Sequence, residues 1–216
     1  MLTPLLIAAA VGYLLGSLPF GYLVARAKGV NIFEVGSKNP GATNVRRVLG
    51  SGAGNLVLAL DAAKGAAAAF APYGWRIMNG RDSGQFGSQE YGYFALAGVI
   101  GAILGHSFSC FTKFRGGKGV ATGAGGFIVL FPPGAGVAFV VWALAVALTR
   151  YVSLASMLAA VSLPVSAYFL HRSALMVGVS AAVAVFVVIR HRANISRLLA
   201  GTESKLGQKN PHPPVT

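Results

Sequence analysis

The chain has 216 residues, 55% of them hydrophobic and only 11% charged, with a net charge of +13 and a single cysteine. A soluble domain carries roughly a quarter charged residues, so this composition excludes an ordinary globular domain and, with apolar stretches near the ~20 residues of a spanning helix, indicates an all-α membrane protein. The bases lie between apolar segments rather than along one helix face, which excludes a nucleic-acid partner.

In chain order the apolar segments predict seven transmembrane helices at 3–25, 52–72, 91–111, 118–131, 134–149, 151–170 and 172–190. The fourth and fifth are short and meet at Phe131-Pro132-Pro133-Gly134, where proline interrupts a helix. One longer broken segment, giving six spans, is the alternative. The first segment lacks a basic leader and is expected to be a true span rather than a cleaved signal. Gly12 and Gly16, like Gly101 and Gly105, are four apart, and the simplest expectation is that they admit close helix contacts. Cys110 is alone, so no disulfide framework forms within the chain; it is expected to be a small apolar filler.

Fourteen of the 18 Lys and Arg residues fall in one set of connections: Arg26, Lys28, Lys38, Arg46, Arg47, Lys113, Arg115, Lys118, Arg150, Arg190, Arg192, Arg197, Lys205 and Lys209. Arg76, Arg81 and Arg172 take the other side, and Lys64 lies within a span. The positive-inside rule then places the N-terminus outside and the C-terminus in the cytoplasm. Residues 1–203 are expected to form one transmembrane domain and 204–216 a flexible cytoplasmic tail.

Two of the basic connections carry more than anchoring residues. The first contains Gly36-Ser37-Lys38-Asn39-Pro40-Gly41-Ala42-Thr43-Asn44-Val45-Arg46-Arg47. Gly and Pro impose a fixed turn, small residues let N–H groups converge, and Arg offers a planar fork, all suited to an anion. A capped turn into the second span, with its bases at lipid headgroups, is the plainer reading. The third connection, Arg115-Gly116-Gly117-Lys118-Gly119, opens a helix and so gathers N–H groups, a positive dipole end and an ammonium; it lacks Walker A spacing. His106 and Ser109 precede it, and a lone His at a span end is usually a packed or interfacial group. Asp61 and Lys64, three apart within a span, are expected to form an ion pair. Ser153 and Ser156 share a helix face, as do His191 and Asn194; serine in a span usually bonds a helix backbone. No HxxxxD pair and no GxSxG elbow are present, and the five carboxylates (Glu34, Asp61, Asp82, Glu90 and Glu203) are scattered, which excludes a metal cluster.

The stretches GSLPFGYL at 16–23, GSKNPGATNVRRVLG at 36–50, DAAKG at 61–65, GHSFSCFTKFRGGKGVAT at 105–122 and RHRANISRLLAGTE at 190–203, in that order, resemble the bacterial acyl-phosphate:glycerol-3-phosphate acyltransferase family. The segment 73–90 is longer than that pattern. The resemblance implies a seven-helix, N-out enzyme of the inner membrane with its active site on the cytoplasmic side. It would transfer an acyl group from acyl phosphate to the 1-hydroxyl of glycerol 3-phosphate, giving lysophosphatidic acid and phosphate, the first step of phospholipid synthesis. It implies no cofactor and no metal. Its partners are membrane lipids, the two substrates and the upstream enzyme that forms the acyl phosphate. Carried onto this sequence, the catalytic set is His191, Asn194, Lys118 and Arg47, with Arg46 the alternative to Arg47. The substrate-binding set is Ser37, Asn39, Gly41, Thr43, Asn44, Gly117, Gly119 and Ser156. A transporter would need polar residues continuing through the outer halves of the spans, which are almost wholly apolar. A lipid-binding scaffold would not need His191 and Asn194 on one helix face.

Overall fold

The computed structural model describes residues 2–78 and 88–208, and all regular structure among them is helical. Residues 79–87, including much of the long 73–90 connection, and 209–216 lie outside the described residues. The chain divides into two compact units, one ending at Leu130 and the next beginning at Phe131.

In the first unit, α1 (Leu2–Ser17) and α2 (Phe20–Arg26) make one 25-residue apolar segment broken at Leu18-Pro19. Pro19 lacks an N–H and disfavours helix at the residue before it, which accounts for the break. The first connection then contains an element that the span pattern did not predict, α3 (Ala42–Leu49), bounded by Gly41 and by Gly50 at φ 89°. Its strongly amphipathic sequence buries Val45 against Ala25, Ile32, Ala53 and Val57. α4 (Ser51–Met78) is 28 residues long, well past the expected end at 72, and α5 (Ser88–Ser107) follows. A 3-10 turn (Cys110–Thr112) leads through the glycine-rich stretch into α6 (Val120–Leu130). Cys110 is exposed, not the filler expected of it: it sits where the chain has already left α5.

The paired glycines do what their spacing suggested. A Cβ on Gly12 would lie 2.1 Å from the carbonyl oxygen of Gly98, and one on Gly101 would lie 2.2 Å from that of Ala9. Gly16 and Gly105 are equally tight against Ala102 and Tyr13. α1 and α5 thus touch backbone to backbone, as helices in lipid do when dispersion rather than water exclusion must hold them. α4 and α6 meet the same way through Gly65 and Gly125.

The second unit contains α7 (Pro132–Thr149), α8 (Val152–Phe169), α9 (Ala174–Arg190) and the short α10 (Arg192–Leu199), with α8 packed on both α7 and α9. α10 is a second element that the spans did not predict; it bends 58° from α9 at His191. Five of the described segments are long and apolar enough to cross a membrane, and the bent α9–α10 pair makes a sixth. The expected fourth span is only the 11-residue α6, about 16 Å at 1.5 Å per residue, against a hydrocarbon core of about 30 Å. Large apolar side chains stay exposed along these helices, among them Leu6, Leu14, Phe139, Leu144 and Val185. That is the surface of a helix bathed in lipid rather than water. Beyond α10 the chain stays engaged: Leu206 donates its N–H to the Arg150 carbonyl at 2.7 Å and accepts from the Arg150 guanidinium, and Lys205 lies 5.4 Å over the Tyr151 ring.

Candidate functional site

In the first unit the two singled-out connections come together. Asn44 organises the first. It is 2% exposed, its Oδ1 accepts from the Ser37 N–H at 2.9 Å, and its Nδ2 donates to the carbonyls of Val35 and Asn39 at 3.1 and 3.0 Å. Asn39 in turn accepts from the Gly41 N–H at 2.9 Å. Asn44 thus braces the loop from within, so that Ser37, Asn39 and Gly41 are held in one turn and Thr43 is exposed on the first turn of α3. Lys38 takes a left-handed conformation (φ 56°) in that turn. On the last turn of α3, Arg46 is exposed and reaches Asn55 of α4 at 3.3 Å, while Arg47 is half-buried.

The glycine-rich loop is reached through two adjacent left-handed residues, Lys113 and Phe114. The guanidinium of the next residue, Arg115, lies 4.6 Å over the ring of Phe33, which belongs to the first connection. Gly21 of α2 is packed so closely on Pro40 that a Cβ would sit 1.7 Å from its carbonyl oxygen. Between these contacts lies a cleft whose wall includes Phe20, Pro40, Lys64, His106, Arg115 and Gly117. Lys118, half-buried, follows directly, and Gly119 takes the left-handed φ of +80° just before α6 begins.

Under this loop lies a buried charge cluster. Asp61 Oδ1 is 2.8 Å from Lys64 Nζ and 3.4 Å from His106 Nδ1. Lys64 also donates to the Leu18 carbonyl at 2.8 Å, at the α1–α2 break. The Asp61–Lys64 pair was expected from spacing. The link to His106, 45 residues away, was not, and no local signal announces it. The Ser109 hydroxyl donates to the Ser17 carbonyl at 2.6 Å, fixing the start of the loop to α1.

In the second unit a different carboxylate is the hub. Glu203 Oε1 accepts from Ser153 at 2.7 Å and from Asn194 at 2.6 Å, and its Oε2 accepts from Arg197 Nε at 2.7 Å. Burial pushes this carboxyl up, but the hydrogen bonds from Ser153, Asn194 and Arg197, with the Arg197 charge, outweigh it and hold Glu203 below its ordinary 4.5. Sequence reasoning set Glu203 among the scattered carboxylates; its place at the end of the arginine-bearing stretch 190–203 is the hint the sequence holds. His191, at the bend between α9 and α10, and Asn194, in the first turn of α10, are both buried, at 3% and 6% exposure. His191 Nδ1 lies 2.7 Å from the Val187 carbonyl. A carbonyl only accepts, so Nδ1 carries a proton and Nε2 is the basic nitrogen of the neutral ring. Ser156 is buried and donates to the Val152 carbonyl at 2.8 Å, the backbone bond usual for serine in a span. The predicted site residues thus fall in two sets: Ser37, Asn39, Gly41, Thr43, Asn44, Arg47, Gly117, Lys118 and Gly119 in the first unit, and Ser156, His191 and Asn194 in the second.

Comparison with known proteins adds a consistent set of relatives. A family model described as glycerol-3-phosphate acyltransferase matches residues 6–201. A glycerol-3-phosphate acyltransferase of Synechococcus sp. (strain JA-3-3Ab) is 43% identical over 205 residues, covering 94% of each chain. One from Fusobacterium nucleatum is 41% identical, covering 89% of this chain and 93% of its own. The crystal structure of PlsY, an integral membrane glycerol 3-phosphate acyltransferase, in its glycerol 3-phosphate form superposes with a TM-score of 0.82 at 36% identity, over 94% of this chain and 96% of that one. Its lysophosphatidic acid form gives 0.79 at 35% identity, over 94% and 95%.

Proposed function

Since this chain belongs to the glycerol-3-phosphate acyltransferase family, we propose that it transfers an acyl group from an acyl phosphate to the 1-hydroxyl of glycerol 3-phosphate, releasing lysophosphatidic acid and phosphate. The observation that carries this reading beyond the family is the meeting of the two donor-rich connections at one cleft in the first unit, where Arg115 lies over Phe33 and both connections line the wall. Both substrates are phosphorylated, and a site for them needs cations and N–H groups at high density.

The roles follow from chemistry. Arg47 and Lys118 hold the phosphate of glycerol 3-phosphate; Arg47 is preferred to Arg46 because it fits the spacing of the family motif. Ser37, with the backbone of residues 39–44 and 116–119, receives the acyl phosphate. Asn44 acts by holding that backbone in shape. The glycerol hydroxyl oxygen attacks the acyl carbonyl carbon, the carbon–oxygen bond of the mixed anhydride breaks, and phosphate leaves. The hydroxyl proton passes to a phosphate oxygen of the donor. The donor is already activated, so no covalent enzyme intermediate is required. Positioning and charge stabilisation supply most of the rate. The same reading places the basic connections, and so the site, on the cytoplasmic side of a bacterial inner membrane with the N-terminus outside. It also makes an acyl-phosphate-forming enzyme the source of the donor.

The test is phosphate release by the purified full-length chain given palmitoyl phosphate and glycerol 3-phosphate, with acyl-CoA as the alternative donor. Release should require both substrates, and Lys118→Ala and Arg47→Ala should each lower kcat/KM by about 100-fold. Near-full activity in both variants, or turnover with acyl-CoA alone, overturns the assignment. Solute uptake into sealed vesicles without phosphate release indicates transport instead.

A further inference from the structure

The glycine-rich loop rests on a histidine that the mechanism above does not use. His106 lies in the last turn of α5 and is largely buried. Its Nδ1 faces Asp61 Oδ1 at 3.4 Å. Its other edge faces Gly117: a Cβ there would lie 2.1 Å from Nε2 and 2.9 Å from Cε1. The His106 carbonyl also accepts the Gly117 N–H at 3.0 Å, and a Cβ on Gly116 would lie 2.1 Å from that carbonyl oxygen. The backbone of residues 116–117 is therefore laid directly on the imidazole and on its own peptide group.

The ring is not free to turn away. Asp61 is 2% exposed and is itself fixed by Lys64, whose ammonium is anchored to the Leu18 carbonyl and lies 5.6 Å from the Phe20 ring centroid. A buried carboxylate of this kind keeps its charge only with such partners. We infer that His106, oriented by Asp61, is a positioning residue that sets the height and direction of the Gly116–Gly117 backbone, and through it the placement of Lys118. This rests on the proposed role of that loop in holding the substrate phosphates. The requirement for glycine at 117 then comes from the imidazole beneath it. The backbone angle is not the reason, since the left-handed φ of this stretch belongs to Gly119.

The decisive measurement is a double-mutant cycle on the full chain, using palmitoyl phosphate and glycerol 3-phosphate with phosphate release as readout. Gly117→Ala drives a methyl into the ring and displaces the loop, and His106→Ala removes its support. Each single variant should raise KM for palmitoyl phosphate, and through the displaced Lys118 for glycerol 3-phosphate, by roughly tenfold or more, since displacements near 1 Å at a positioned site carry effects of that size or larger. The double variant should be better than Gly117→Ala alone, because the methyl enters space the imidazole has left. His106→Asn, whose amide can still donate to Asp61 from the Nδ1 position, should also suppress Gly117→Ala. Thermal midpoints identify variants that fail to fold; for these the Asn pairing gives the answer. If the losses multiply with no suppression by either His106 variant, or if Gly117→Ala leaves KM unchanged, the inference is wrong. A wild-type chain inactive with palmitoyl phosphate overturns the proposed function instead, which a failed cycle in an active enzyme does not.

Discussion

The two units hold themselves together by different means. In the first, α1, α4, α5 and α6 approach until backbone meets backbone, with glycines at Gly12, Gly16, Gly65, Gly101 and Gly125 facing carbonyl oxygens. In the second, Gly136 and Gly178 have no atom within 4 Å of where a Cβ would stand. Beside the packing of α8 on α7 and α9, this unit holds a hydrogen-bonded knot in which Glu203 gathers Ser153, Asn194 and Arg197. In lipid there is no water to drive apolar faces together, so close dispersion contact and polar bonds are the two available means. The first unit gains rigidity beneath a loop packed with anion donors; the second fixes the helix-end segment that carries His191 and Asn194.

The largest effect that separates the two modes should come from a side chain placed in the first unit's helix contact. Gly101→Leu would force α5 away from Ala9 and Tyr13 of α1. Overpacking against a side chain typically costs 1–3 kcal/mol; here the obstacle is backbone on both sides, and a loss above about 4 kcal/mol is expected. The measurement is the thermal midpoint of the purified protein in detergent, with phosphate release alongside. A variant that melts like wild type would show that the close approach of α1 and α5 does not hold the unit.

This contrast also explains what the sequence disclosed. Composition and apolar run length located the long apolar helices, because a helix in lipid must be apolar on nearly every face, but not the shortness of α6. The glycine spacing was legible for the same reason that it works: residues four apart share a face. α3 and α10 were not foreseen because each has eight residues and lies in a polar, basic stretch, where hydropathy has nothing to report. Val45, Val48 and Leu49 do sit at helical spacing, and Gly41 and Gly50 bracket them. Within the candidate site, Asp61–Lys64 was visible as an i,i+3 pair. His106–Asp61, Arg115–Phe33 and Ser153–Glu203 span 45, 82 and 50 residues and depend on how the chain turns. The polar atoms of Asn44 were counted as substrate donors, while its burial gives them to its own loop.

An intermediate effect should come from the knot of the second unit. Glu203→Gln keeps an oxygen for Ser153 and Asn194 but puts an amide where Arg197 needs an acceptor. Hydrogen bonds to charged groups contribute about 1.5–3 kcal/mol, and Arg197 is partly solvated, so a loss of about 1.5 kcal/mol is expected. The pH dependence has a defined sign. The folded-state carboxyl is held below its ordinary 4.5, so the unfolded chain binds that proton more readily. The contribution of Glu203 is complete above about pH 4.5 and disappears as pH falls through the folded value. Stability of the wild type measured from neutral pH downward should fall in that window, and Glu203→Gln should flatten that part of the curve. An unchanged slope would remove Glu203 from its place at the centre of the second unit.

The smallest effect has the opposite sign and tests whether the second unit is truly indifferent to helix-face glycine. Gly178 lies inside α9, has helical rather than left-handed angles, and has open space where its Cβ would stand. Glycine in a helix interior loses more backbone freedom on folding than alanine and adds no contact of its own. Gly178→Ala should therefore stabilise the protein by about 0.5–1 kcal/mol, raising the thermal midpoint slightly with kcat and KM for both substrates unchanged. The same substitution at Gly101 meets the Ala9 carbonyl at 2.2 Å and should destabilise, so the pair of alanine variants reads the difference between the units with one methyl group each. If Gly178→Ala is destabilising too, α9 has a close neighbour on that face, and the second unit depends on helix contact as the first one does.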